Sequence, residues 1–345
     1  MDKILGSADL FRREFWRATV WIGLGPRLVR DRHARLAVLA GLHMSFALLL
    51  TVIAPVWLLL LAPLLLGVPH VFADIRYLIL RPPNRTDRGV LLAVLIPLLG
   101  MSLLRILLVL GILSVPRIEV LLGLLSLCAA VVLTRGRTFW QLGLLLIISG
   151  LTVLGLTSPR MVALGMAHLH NLVAFGLWVA WSRSSGASKR CTWAVGTMFL
   201  GGISLLASGV FEPFLGMIGG LRAAGGLTIN EMTRALAPGL PPAIGLKLVL
   251  IFAFAQSVHY VVWLRLIPGS KPFEPRRVPT TFRHDLQDLV SDFGLGGVGL
   301  AIGLTLAVPI FGLLDPTGTR EAYLSIVFFH GWLEVAMAAH WFVRR

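Results

Sequence analysis

Long runs without a charged side chain constrain this sequence more than any other feature. Gly89 to Leu104, Thr138 to Pro159 and Phe293 to Leu314 each pass without Asp, Glu, Lys or Arg. An α-helix of roughly 20 mainly apolar residues crosses the hydrocarbon core of a bilayer. Helices and closed barrels are the only spanning structures that satisfy their own backbone there. Runs this long predict helices, so the expected fold is an all-α polytopic transmembrane bundle. Composition agrees: 57% of the 345 residues are hydrophobic and 14% charged, against roughly a quarter charged in soluble domains.

Ten spans are expected, at about 36–54, 56–80, 89–115, 117–134, 138–157, 160–181, 192–212, 243–266, 288–314 and 320–343. The third is long enough to be tilted, or broken near Gly100. A basic arm over 1–35 precedes a single membrane domain over 36–345. The arm interleaves Arg12, Arg13 and Arg17 with Phe11, Phe15, Trp16 and Trp21, a mixture that suits an interfacial helix. It lacks the apolar region of a cleavable signal. With both ends cytoplasmic, 23 of the 31 Lys and Arg fall in inner segments and five in outer ones. Arg76, Arg105 and Lys247 fall within spans. This alternation is the positive-inside pattern. It accounts for the net charge of +15 through contact with membrane lipids rather than nucleic acid. A long outer loop is expected over about 213–242, with a short surface or re-entrant helix from Asn230 to Ala237, and an extended inner loop over about 268–287. Cys128 and Cys191 are too far apart in sequence to suggest a disulfide framework or a zinc site.

Histidine placement carries the chemistry. Seven of nine histidines fall inside predicted spans: His43, His70, His168, His170, His259, His330 and His340. His33 and His284 fall in basic inner segments. Ionisable groups at membrane depth are costly and mark functional sites. At a rise of about 1.5 Å per residue, His43, Asp74 and His259 lie roughly 9–11 Å from the inner surface. His70 and Glu334 lie at roughly 14–15 Å, and His168, His170 and His330 at roughly 17–20 Å. Five helices therefore place a histidine in one slab, which predicts a shared metal or haem site. His168 and His170 point about 200° apart on a straight helix, so one of them faces the centre, and His170 is favoured. Asp74 lies four residues after His70, and Glu334 four after His330. A carboxylate one turn away can ligate a metal or hold an imidazole N–H. His340 is nearer the inner surface, and either snorkelling or a site role accounts for it. Arg105 and Asp292 have no role legible in the sequence.

Imidazole-rich sites suit Fe, Cu, Zn and Ni, and little thiolate is available. A non-haem Fe(II) centre is the first expectation, with haem b or a di-metal centre as alternatives. Its ligands would come from His43, His70, His170 and His259, with His330 as a fifth or substitute ligand and His168 as a further candidate. Asp74 and Glu334 would orient the imidazoles. The partners would be a lipophilic substrate and O2. The H-x-x-H-H boxes of membrane desaturases are missing. A proton or metal transporter is a further alternative, but neither internal repeats nor broken helices are expected.

The run Gly67-Val68-Pro69-His70-x-x-x-Asp74, one span after the helix bearing His43, resembles the Brp/Blh-type bacterial carotene dioxygenases. The resemblance covers about forty residues. It implies a multispan protein of a bacterial inner membrane in which four histidines hold iron(II) for central cleavage of β-carotene to retinal. By that resemblance His43 and His70 are the two early ligands, and the later pair comes from the helices bearing His170 and His259. The sequence departs from the family in carrying Val71 where glycine is usual. It also carries His330 and His340 in addition.

Overall fold

The computed structural model describes residues 6–7, 9–10, 14, 31–82, 86–184, 188–217, 225–270 and 282–344. Most of the basic arm, including its aromatic residues, lies outside the described residues, as does the centre of each long loop. The described residues are helical throughout, in a multi-pass membrane bundle.

In chain order the helices are α1 (Arg32–Ile53), α2 (Pro55–Ile75), α3 (Arg88–Val109), α4 (Pro116–Val132), α5 (Thr138–Thr157), α6 (Pro159–Ser184) and α7 (Lys189–Ser208). There follow α8 (Glu212–Met217), α9 (Ile229–Leu236), α10 (Pro242–Val261), α11 (Phe282–Leu314), α12 (Pro316–Ile326) and α13 (Phe329–Arg344). Nine helical stretches among the described residues are long and apolar enough to cross a bilayer, counting α12 with α13 as one. The expected fourth span, α4, has 17 residues, the short end of the usual range of about 17–25. It packs against α3, α5, α6 and α13. Its place agrees with the ten-span expectation.

Local chemistry sets the helix ends. Pro55, Pro116, Pro159, Pro242 and Pro316 open five helices, where the missing N–H is harmless and the fixed φ already helical. Asp31, Asp87 and Asp315 accept from first-turn amides, replacing the bonds a helix start lacks. Thr228 and Glu231 form a reciprocal capping box at α9, the short helix expected in the outer loop. Gly209 ends α7 with φ of 78°, a conformation glycine adopts without Cβ strain.

Three departures from regular helices matter for the interior. The helical path of α2 continues into a π-turn, Arg76–Leu80, and that of α10 into another, Val262–Leu266. Such turns re-aim the side chains beside them. The last crossing is interrupted: α12 stops at Ile326 and α13 starts at Phe329. The expectation of one unbroken final span is therefore corrected. Helix α3, by contrast, runs without a break through Gly100.

Several charges inside the bundle are paired. Arg105 on α3 meets Glu119 on α4 at 2.8 Å, and its guanidinium lies 4.2 Å from the Phe328 ring at the interruption. Arg76 and Arg81 both donate to Asp292 of α11 at 2.6 Å. Lys247 approaches Glu212 at 3.6 Å. These contacts give Arg105 and Asp292 structural partners. His340, for which snorkelling or a site role was expected, is buried within the bundle. The Thr134 hydroxyl gives its proton to the Ala130 carbonyl, so it accepts from His340 Nδ1–H at 2.6 Å.

Trp332 is fully buried, and its ring rests on Gly123 of α4, where a Cβ would come within 2.4 Å of it. This seat fixes α13 beside His330. Gly123→Ala should destabilise the protein by about 1–3 kcal/mol through overpacking, seen as a lower unfolding midpoint in detergent, whereas Gly143→Ala, facing open space, should not.

Candidate metal centre

Four helices each bring one histidine to a common point: His70 from α2, His170 from α6, His259 from α10 and His330 from α13. Five of the ring pairs among them have centroids 5.0–5.9 Å apart. His70, His259 and His330 are buried, together with Asp74 and Glu334. Donor atoms of His70, Asp74, His259 and His330 all lie within 4.8 Å of one another.

Hydrogen bonds assign the tautomers. His70 Nδ1 faces the Leu66 carbonyl at 3.2 Å and His170 Nδ1 the Met166 carbonyl at 3.0 Å. His330 Nδ1 faces the carbonyl of Val327, at the interruption before α13. A carbonyl only accepts, so in each case Nδ1 carries the proton and Nε2 offers a lone pair. His70 Nε2 and His330 Nε2 are 3.5 Å apart. With both protons on Nδ1, that contact sets lone pair against lone pair, and a cation between them relieves it. Two ligands held at about 2.1 Å from a metal in tetrahedral geometry lie about 3.4 Å apart.

The second observation is a set of buried polar atoms without partners. Both ring nitrogens of His259 make no hydrogen bond among the described residues, and the carboxyl groups of Asp74 and Glu334 find no donor there beyond Trp263 and each other. Such orphans are expensive. Glu334 Oε1 is better served: it accepts from Trp263 Nε1–H at 2.8 Å and approaches His259 Nε2 at 3.5 Å. Two buried carboxyl groups among imidazoles need protons or a cation to balance them. The buried His70, Asp74, His259 and His330 could therefore hold a metal ion, with His170 completing the histidine ring around them.

The sequence reading is met in part. His70, His170, His259 and His330 converge, and His170 rather than His168 faces the centre. His168 points away, its Nε2 donating to the Leu236 carbonyl at 3.0 Å with its ring against Phe252. His43 is not brought into the cluster: it is exposed on the face of α1 and bonded to its own Leu39 carbonyl. Depth along a helix does not fix which way a residue points, and His330 occupies the place expected for His43. The carboxylates also act differently from the expectation. Asp74 and Glu334 do not hold the imidazole four residues before them, whose Nδ1 protons go to backbone carbonyls.

A cavity of about 170 Å³ adjoins the four histidines. It is lined mainly by apolar side chains, among them Met166, Phe252, Leu324 and Val327, and it also takes in Asn171, Gln256, Tyr260, Arg320 and Tyr323. Tyr260 lies 4.6 Å from the His70 ring. Sequence reasoning did not single out these polar residues. Arg320 was counted among outer-loop cations, and no spacing marks the other four.

Comparison with protein-family models, curated proteins and solved structures finds no match to this chain.

Glu334→Gln keeps an acceptor for Trp263 but removes the charge beside His259. It should weaken binding of a divalent metal roughly 10–100-fold, measured by competition with a chelating dye on purified protein.

Proposed function

We propose that this protein is a membrane-embedded oxygenase that uses a non-haem iron, held by His70, His170, His259 and His330, to act on a lipophilic substrate with O2. The observation that carries the reading is the convergence of four imidazoles from four helices, three with Nδ1 protons fixed on backbone carbonyls. Neutral imidazoles whose second nitrogen is held in this way are typical metal ligands. Asp74 adds a carboxylate to the donor set, and mixed histidine and carboxylate sets with open positions suit Fe(II). Iron bound there would supply activation of O2. The protein's own part is to position and to exclude water: the apolar lining takes up the substrate, and the packed Trp332 and Trp263 seal the inner side chains.

The motif from Gly67 to Asp74 supports the same class, because it resembles the Brp/Blh-type carotene dioxygenases. A carotenoid or related polyene is the substrate that likeness suggests. His330 would then stand where that family's early ligand, matched here to His43, was expected. Haem fits less well. Axial imidazoles must face each other across a flat macrocycle, yet here His170 and His259 crowd the space beside the His70–His330 pair.

A second reading is favoured by the two adjacent buried carboxyl groups of Asp74 and Glu334 beside His259, namely two metals side by side. The interrupted last span also removes one argument against a transporter, since broken helices line many transport sites.

Metal analysis with a visible spectrum on detergent-purified protein tests the proposal. About one iron per chain without a haem band is expected, and two metals per chain would favour the di-metal reading. His259→Ala and His170→Ala should lose at least about nine-tenths of the metal while remaining folded, whereas His43→Ala should retain it. Full retention in both cluster variants, or a metal-free wild type that transports ions in liposomes, would overturn the proposal.

A further inference from the structure

The cavity beside the histidines contains a buried cation that makes no ion pair among the described residues, with Glu321 as its acidic neighbour in sequence. Arg320 is 7% exposed, and its Nε donates to the Leu59 carbonyl at 2.8 Å. That bond has a local cause. Pro63 lies inside α2 and has no N–H to give the carbonyl four residues before it, so the carbonyl of Leu59 takes its proton from Arg320 instead. This uses one of five guanidinium N–H donors. Among the described residues Arg320 makes no ion pair and no further hydrogen bond. Arg320 is part of the cavity wall.

Tyr323, one turn along α12, lines the same cavity, and its buried hydroxyl also lacks a partner. It lies over Gly67, where a Cβ would come within 2.5 Å of the ring and hydroxyl. The close seat fixes the direction of the hydroxyl. Two donors, one of them charged, thus share a cavity that is otherwise mostly apolar and has no carboxylate in its lining. A buried guanidinium without a direct ion pair is unfavourable. A carboxylate supplies one negative charge and two acceptor oxygens, which match a guanidinium edge plus a neighbouring hydroxyl. A hydrocarbon tail matches the remaining wall.

We propose that the cavity binds a lipophilic carboxylic acid, its carboxylate on Arg320 and Tyr323 and its chain directed past Tyr260 toward the four histidines. The volume of about 170 Å³ is near that of a ~150 Å³ cavity that admits benzene. It holds the head group and the first several carbons. The carbons presented to the histidines are therefore those close to the acid end. The statement that chemistry occurs on those carbons rests on the function proposed above. Recognition of the acid does not.

The test compares decanoate with methyl decanoate as competitors for a fluorescent fatty acid on the full chain in lipid nanodiscs, with metal content measured on the same samples. Wild type should favour the acid over the ester roughly tenfold or more. Arg320→Gln can still donate to the Leu59 carbonyl, so it should keep its metal and its ester binding while the acid preference falls to about unity. Tyr323→Phe should lose about threefold of that preference and is the second variant should Arg320→Gln not fold. Equal binding of acid and ester by wild type, or an undiminished acid preference in either variant, would overturn the inference. A wild type free of metal that still prefers the acid would remove the proposed oxygenase and leave this binding site standing.

Discussion

Inside a bilayer a polar group has no water to turn to, and the interior of this bundle is organised around that constraint. Arg105 finds Glu119, Asp292 takes two arginines, and His340 is paired through Thr134. Against that background the atoms left over stand out. Both nitrogens of the buried His259 lack a hydrogen bond among the described residues, and they lie beside the equally buried carboxyl groups of Asp74 and Glu334. In a bundle that pairs several of its interior charges, such a group calls for a balancing partner. The unpaired set marks where something else belongs.

The backbone takes part in preparing that place. Three imidazoles are oriented by backbone carbonyls three or four residues before them, so the nitrogens that carry the lone pairs are already set. For His330 the carbonyl is that of Val327, placed by the interruption of the last crossing. The same local bond occurs at His43, which faces outward. Tautomer control by a helix carbonyl is therefore common to histidines here, and only convergence distinguishes the site.

Much of this architecture was legible in the sequence, because apolar runs and the alternation of Lys and Arg are direct consequences of bilayer physics. Depth was legible too, and it brought His70, His170, His259 and His330 into one slab. Direction was not. A residue's angle around its helix depends on which neighbours that helix meets, which is why His43 was expected inside and lies outside. The interruption at Val327 and Phe328 carries no glycine or proline to announce it. Arg320 reads as one more loop cation until Pro63 is seen to leave the carbonyl of Leu59 without its helical partner. Glu119 escaped notice because its partner Arg105 lies on the preceding helix rather than one turn away.

The split of the final crossing separates two tasks that one continuous helix would tie together. His330 and Glu334 belong to the piece after the gap, Arg320 and Tyr323 to the piece before it. On the proposed function, substitutions in the earlier piece would change which molecule is admitted while the candidate ligands of the later piece stay fixed. Selectivity and reactivity would then be free to diverge separately within a single membrane pass.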